Sequence, residues 1–218
     1  MTRIASVISN VLNAPFVCAY VLLIYYLFHP YHLTTEALIG VIVFLYLLPW
    51  GPVVAYSIFK GVSPSMLSNR ERIPFVIIGL ISYVAGAVYF CRQASLGIYA
   101  FLISLHVMYA IFSSILIIGN IFSKPSVHVG GFVAPIILLG LYTTPLVYIL
   151  LVLAPVIGWS RVKLRIHTPM QLLTGAIIGV ISPLLAHFIA QNIILSPLIM
   201  ERFVSIADFR SQLPKDLL

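Results

Sequence analysis

Acidic side chains are nearly missing from this sequence: five Asp and Glu stand among 218 residues. Charge of either sign is scarce, at 8% of the chain. Soluble domains carry about 25% charged residues, so an ordinary water-facing surface is excluded. The two cysteines, Cys18 and Cys91, both lie in apolar runs, which excludes a disulfide framework and a cysteine-based zinc site. Repeats, low-complexity stretches and a soluble second domain are also lacking. What is present is apolar: 61% hydrophobic residues and a mean hydropathy of +1.12. The reading is a single integral membrane domain over residues 1–218. Arg3 precedes the first apolar run with no small-x-small cleavage pattern after it, so that run is expected to span rather than to be a removable signal.

A span needs about 20 mainly apolar residues. Runs of that kind lie at 11–29, 36–58, 73–91, 97–121 and 170–196. Residues 130–159 read either as one long tilted helix or as a hairpin of two shorter ones, with Thr143-Thr144-Pro145 as the turn. The expectation is an all-α polytopic bundle of six to seven transmembrane helices. The tail 199–218 spaces Phe203, Ile206 and Phe209 three apart, which predicts a short interfacial helix.

Seven crossings would put Arg3, Lys60, Arg70, Arg72, Lys124, Arg161, Lys163 and Arg165 on one face with Glu71 alone. Arg92, Arg202, Arg210 and Lys215 then share the other face with Glu36, Glu201, Asp208 and Asp216. The positive-inside rule gives one account of that asymmetry. An anion site assembled from three loops gives another, and a functional cluster would mislead the rule. The sequence therefore assigns no side to the cations beyond a multi-pass placement in the cell membrane. Nucleic acid is not an expected partner, because no basic run or groove-reading motif accompanies the charge.

The five acids are scattered, four of them opposite the basic loops, so a carboxylate-built metal site among those loops is not expected, and no cofactor is implied. An anion site without metal would use arginine, backbone N–H groups and histidine. Those residues are present. One segment runs Lys124-Pro125-Ser126-Val127-His128, another Ser160-Arg161, five residues, His167, three residues, Gln171.

This order resembles the type 2 phosphatidic acid phosphatase superfamily, which shares its site with vanadium haloperoxidases. The family's blocks are lysine, six residues, arginine-proline; then proline-serine-glycine-histidine; then serine-arginine, five residues, histidine, three residues, aspartate. Ser160, Arg161 and His167 match the third block, with Gln171 in the aspartate position. Pro125, Ser126 and His128 match the second, with Val127 for glycine. Arg72-Ile73-Pro74 is the counterpart of the first, and the lysine position falls at Ser65. The resemblance covers roughly residues 60–195 and implies three motif loops converging on one face.

It also implies roles. His167 would be the nucleophile that forms a phosphohistidine, and His128 the general acid. Arg72, Arg161 and Ser126 would hold the phosphoryl oxygens, and Gln171 would orient His167. By their loop positions alone, Lys124 or Arg70 would stand in for the absent lysine. The implied activity is metal-independent hydrolysis of a lipid phosphate or polyprenyl diphosphate. Alternatives are a phosphotransferase on the same scaffold, a non-catalytic lipid-phosphate binder, and a transporter. Outside the blocks, His106 and His187 are expected to make interhelical hydrogen bonds. His29 and His32 would be interface residues. Lys163 and Arg165 would attract anionic headgroups. Gly175 and Gly179 would allow close helix packing.

Overall fold

The structure, a computed structural model, describes residues 2–64, 67–93 and 96–196. The expected tail helix at 199–218 and the lysine position at Ser65 lie outside the described residues. Those described form eight helices and no strand. In chain order they are α1 (Thr2–Val11), α2 (Ala14–Phe28), α3 (Thr35–Lys60), α4 (Asn69–Arg92), α5 (Leu96–Phe122), α6 (Val127–Tyr142), α7 (Pro145–Lys163) and α8 (Pro169–Leu195). An all-α polytopic bundle is thus what the chain forms.

Hydroxyl side chains set most of the starts. Thr34, Ser68, Ser126, Thr144 and Thr168 each accept a backbone N–H from the first turn of α3, α4, α6, α7 and α8. Each satisfies a donor that has no partner within its own helix. Residues 130–159 resolve as the hairpin, broken after Tyr142 and restarted at Pro145. The first run, 11–29, forms α2, and a helix that the hydropathy did not mark, α1, precedes it at a bend of 51°. Asn13 caps α2 and Pro15 sits in its first turn, so α1 cannot continue straight through.

Five helices (α3, α4, α5, α7 and α8) are long and apolar enough to cross a bilayer, and the bent pair α1–α2 makes a sixth candidate. These helices mark a membrane-embedded protein. With 16 residues, α6 is only about 24 Å long. It is the most enclosed helix, buried almost continuously from Val129 to Gly140 among α2, α5, α7 and α8. Helix α7 opens with eight residues of 3₁₀ helix, Pro145–Val152, before its α-helical part. That tighter winding rises about 2.0 Å per residue, so 19 residues reach roughly 32 Å. Leu23, Ile81, Ile149 and Leu184 stay exposed on the outer faces, as lipid contact requires.

The two ends of the bundle are distinct. At one, His29 Nε2 donates to the Tyr142 carbonyl, Thr34 bonds Tyr99, and Gln191 donates to the Tyr142 hydroxyl. At the other, the Ser126 N–H donates to the Gln171 carbonyl, Lys124 to the Leu67 carbonyl, and Arg161 to Ser9. The segments carrying the motif residues gather at this second end.

Candidate functional site

The third block is shaped by a helix end. After Arg161, the Ile166 N–H reaches the Arg161 carbonyl and the Arg165 N–H reaches the Val162 carbonyl. These are the two bonds of a Schellman turn, with Arg165 at φ 56° in the left-handed position usually taken by glycine. The turn reverses the chain and returns His167 to the level of Arg161. Thr168 and Gln171 then start α8 with a capping box. The Gln171 amide oxygen accepts the Thr168 N–H at 3.2 Å and lies 3.1 Å from His167 Nδ1. A backbone N–H can only donate, so the atom between them is oxygen and Nδ1 carries the ring proton. His167 Nε2 therefore keeps its lone pair.

The second block starts α6. The Ser126 hydroxyl accepts the Val129 N–H, and its own N–H is taken by the Gln171 carbonyl at 2.9 Å. That bond ties the second block to the third. Glycine allows the approach: a Cβ on Gly175 would stand 2.5 Å from the Ser126 carbonyl oxygen, and one on Gly130 would stand 2.6 Å from the Gly175 carbonyl oxygen. Gly179 meets Gly130 in the same way. The close packing expected at Gly175 and Gly179 is the crossing of α6 and α8, and it brings His128 and His167 together.

The first block supplies Arg72 from the first turn of α4, where Ser68 and Glu71 form a capping box. Glu71 bonds Ser68, Tyr56 and Lys60, so its charge is engaged there. Lys124 Nζ donates to the Leu67 carbonyl at 3.3 Å.

Arg72, His128, Arg161 and His167 line one cavity of about 450 Å³. Three blocks from distant parts of the chain therefore converge on it. Ser126 and Gln171 stand behind the lining residues as supports, and Lys124 sits close enough to repel a proton on His167. Arg70 is exposed and outside the lining. Away from these cations the wall is apolar and aromatic, formed by residues such as Trp50, Val53, Phe75, Phe112 and Leu116.

Arg161 is 2% exposed, and no carboxylate bonds it among the described residues. Burying a guanidinium unpaired is costly, so the arrangement favours an anionic occupant. His167 is pushed down to about 4, first by burial and further by Arg161, Arg72 and Lys124; the Gln171 bond opposes this. Lys124 is lowered by burial and by the same two arginines. An imidazole that is neutral at pH 7, with its lone pair free, has the chemistry of a nucleophile.

The other histidines lie elsewhere. His106 does not make the expected interhelical bond: Nδ1 bonds the Leu102 carbonyl of its own helix, and the ring fills the notch left by Gly86. His187 meets the Tyr142 ring edge-on, and its Nδ1 is buried with no bond. His29 and His32 stack at the far end, where His32 Nδ1 lies 2.6 Å from the Tyr25 hydroxyl. Lys163 and Arg165 are exposed beside Trp159, outside the cavity.

Sequence reasoning missed a wall of the site. Ser9, Asn10 and Asn13 at the α1–α2 bend stand at the cation end, Asn10 and Asn13 in the cavity lining. The Asn13-Ala14-Pro15 capping signal marked the break, but nothing in it pointed to the cavity. No protein-family model, curated protein or solved structure matches the chain.

Proposed function

We propose that this protein is a metal-independent lipid phosphatase of a cell membrane, cleaving a terminal phosphate from a lipid phosphate or polyprenyl diphosphate. The observation that carries the reading is the composition of one cavity. Two arginines and two histidines line it together with Asn10 and Asn13, and most of the remaining lining is apolar or aromatic. A phosphate at the cationic end would leave an attached hydrocarbon chain against Trp50, Phe75 and Phe112.

In this reading His167 Nε2 attacks phosphorus, and the bond from phosphorus to the lipid oxygen breaks. Gln171 holds Nδ1–H and fixes the attacking nitrogen. A bound phosphate would offset the burial and the Arg161 and Arg72 charges that disfavour a proton on His128; His128 then gives that proton to the departing oxygen, and the lipid leaves as an alcohol or monophosphate. Water then attacks the phosphohistidine, His128 takes its proton, and the nitrogen–phosphorus bond breaks to release phosphate. Arg72 and Arg161 offset the charge on the phosphoryl oxygens throughout, with paired planar donors.

The test is phosphate release by purified protein in detergent, over a panel of lipid phosphates and polyprenyl diphosphates, with chelator present. Release is expected from wild type and is expected to fall at least about a thousandfold in His167→Ala, as removal of a nucleophile does. Release that persists in His167→Ala would reject the phosphohistidine route. Lipid-phosphate binding without any release would replace the enzyme with a binder.

A further inference from the structure

The lipid-phosphatase reading gives Arg161 a phosphate to hold but leaves open what aims it. We infer that Ser9, on the amino-terminal helix, is the positioning residue for Arg161. Ser9 Oγ accepts from Arg161 Nη1 at 2.6 Å, across 152 residues of sequence. Both side chains are buried. Helix α1 lies along the last turns of α7, with Ala5 and Ser9 turned inward and Ile4 and Val7 outward.

The geometry of the guanidinium makes the bond informative. Its five N–H groups form a planar fork. Nη1 lies on the Cδ side, opposite the Nε hydrogen, so a bond from Nη1 to Ser9 leaves the edge formed by Nε–H and Nη2–H. Those two donors are parallel and match two oxygens of a phosphoryl group. Nε is buried and has no hydrogen-bond partner. A buried charged donor left empty is expensive, and Arg161 borders the cavity, so the empty edge is the one a phosphate would fill. Ser9 thus fixes the rotation of the guanidinium before substrate arrives, and α1 becomes part of the phosphate site rather than an anchor.

The inference rests on the phosphate-binding reading, and its test separates the two. Inorganic phosphate is the probe, measured by calorimetry on full-length protein in detergent and as a competitive inhibitor of lipid-phosphate hydrolysis. Ser9→Ala is expected to weaken phosphate about 10- to 100-fold, the worth of one hydrogen bond to a charged group. kcat/KM is expected to fall by the same factor. Ser9→Thr keeps the hydroxyl and is expected to stay within about threefold of wild type, a tolerance well below the loss of such a bond. Ala5→Gly loosens α1 without touching the hydroxyl and is expected to bind as wild type does. Wild-type affinity in Ser9→Ala would overturn the role of Ser9. So would an equal loss in Ala5→Gly, which would assign the effect to helix docking. Failure of wild type itself to bind or release phosphate would instead overturn the reading beneath it.

Discussion

Gln171 stands where the motif read from the sequence implies an aspartate, and the structure shows what the substitution keeps. Its amide oxygen still meets His167 Nδ1, at 3.1 Å, and a second donor from Thr168 holds that oxygen in place. Orientation survives without the negative charge. The spacing of His167 and Gln171 was legible, because residues four apart meet at a helix start. The tautomer was not, because it depends on the Thr168 N–H. His167 is pushed down to about 4, chiefly by burial. Between its ordinary value of 6.5 and about 4, the unfolded chain binds a proton that the folded chain refuses. Falling pH therefore costs stability through that window, while the nucleophile stays neutral down to its lower end. The acid limb of kcat/KM that belongs to His167 is expected near pH 4, once the substrate's own ionisation near about pH 6 is divided out. Gln171→Glu adds an anion beside the ring and is expected to move that limb to higher pH and raise kcat. Gln171→Met removes the acceptor at similar volume and is expected to lower kcat/KM about 10- to 100-fold. A pH profile of phosphate release for the three proteins decides it, and a limb that stays in place in Gln171→Glu would uncouple the pair.

At the level of helices, the legible features were those with a local cause. Hydropathy located α2, α3, α4, α5 and α8, and Thr143-Thr144-Pro145 marked the hairpin between α6 and α7. Helix α1 was overlooked because Thr2, Arg3, Ser6, Ser9 and Asn10 keep it out of the apolar run that begins at residue 11, although Asn13 and Pro15 announce a new helix start there. Left-handed Arg165 gave no signal at all, since the Schellman turn there lacks its usual glycine. The crossing of α6 and α8 lies between these extremes. A small-residue pair was visible at Gly175 and Gly179, but its partner at Gly130 and the Ser126 backbone were not. In lipid, burial of apolar side chains does little to drive helices together, so close backbone contact of this kind matters more. Gly175→Ala would press a methyl group to 2.5 Å from a carbonyl oxygen, which has no rotamer to escape into. The expected cost is about 1–3 kcal/mol, the usual range for overpacking, along with weakened phosphate binding as His128 and His167 move apart. Gly158→Ala is the contrast: its methyl would meet only the tip of Leu172, at 3.3 Å, and is expected to be tolerated. Unfolding midpoints in detergent compare the two, and equal midpoints would show that the α6–α8 crossing is not tight.

The whole molecule is organised by which end of the bundle each connection reaches. Crossing parity, with residues 130–159 counted as a hairpin of two passes, placed the 60–72, 122–129 and 160–168 segments together; hydrogen bonds join Lys124 to Leu67, and Ser126 to Gln171 just past the third segment. That parity counts α6 as a full pass, yet at 16 residues α6 is shorter than a bilayer core and is enclosed by its neighbours. An odd number of passes requires α6 to count as one. If it does, Arg70 and Lys163 share one side of the membrane, and Tyr31 and Arg92 share the other. All four are exposed, so cysteines at these positions report their side through labelling by a membrane-impermeant maleimide. The parent protein would carry Cys18→Ala and Cys91→Ala, since both native thiols are free. In sealed vesicles of uniform orientation, Arg70→Cys and Lys163→Cys are expected to label together. Tyr31→Cys and Arg92→Cys are expected to label only after the vesicles are opened, or the reverse if the vesicles are inverted. Opposite behaviour of Arg70→Cys and Lys163→Cys would mean that α6 does not cross. The loops carrying Arg72 and His167 would then face different compartments, and no single phosphate could meet both.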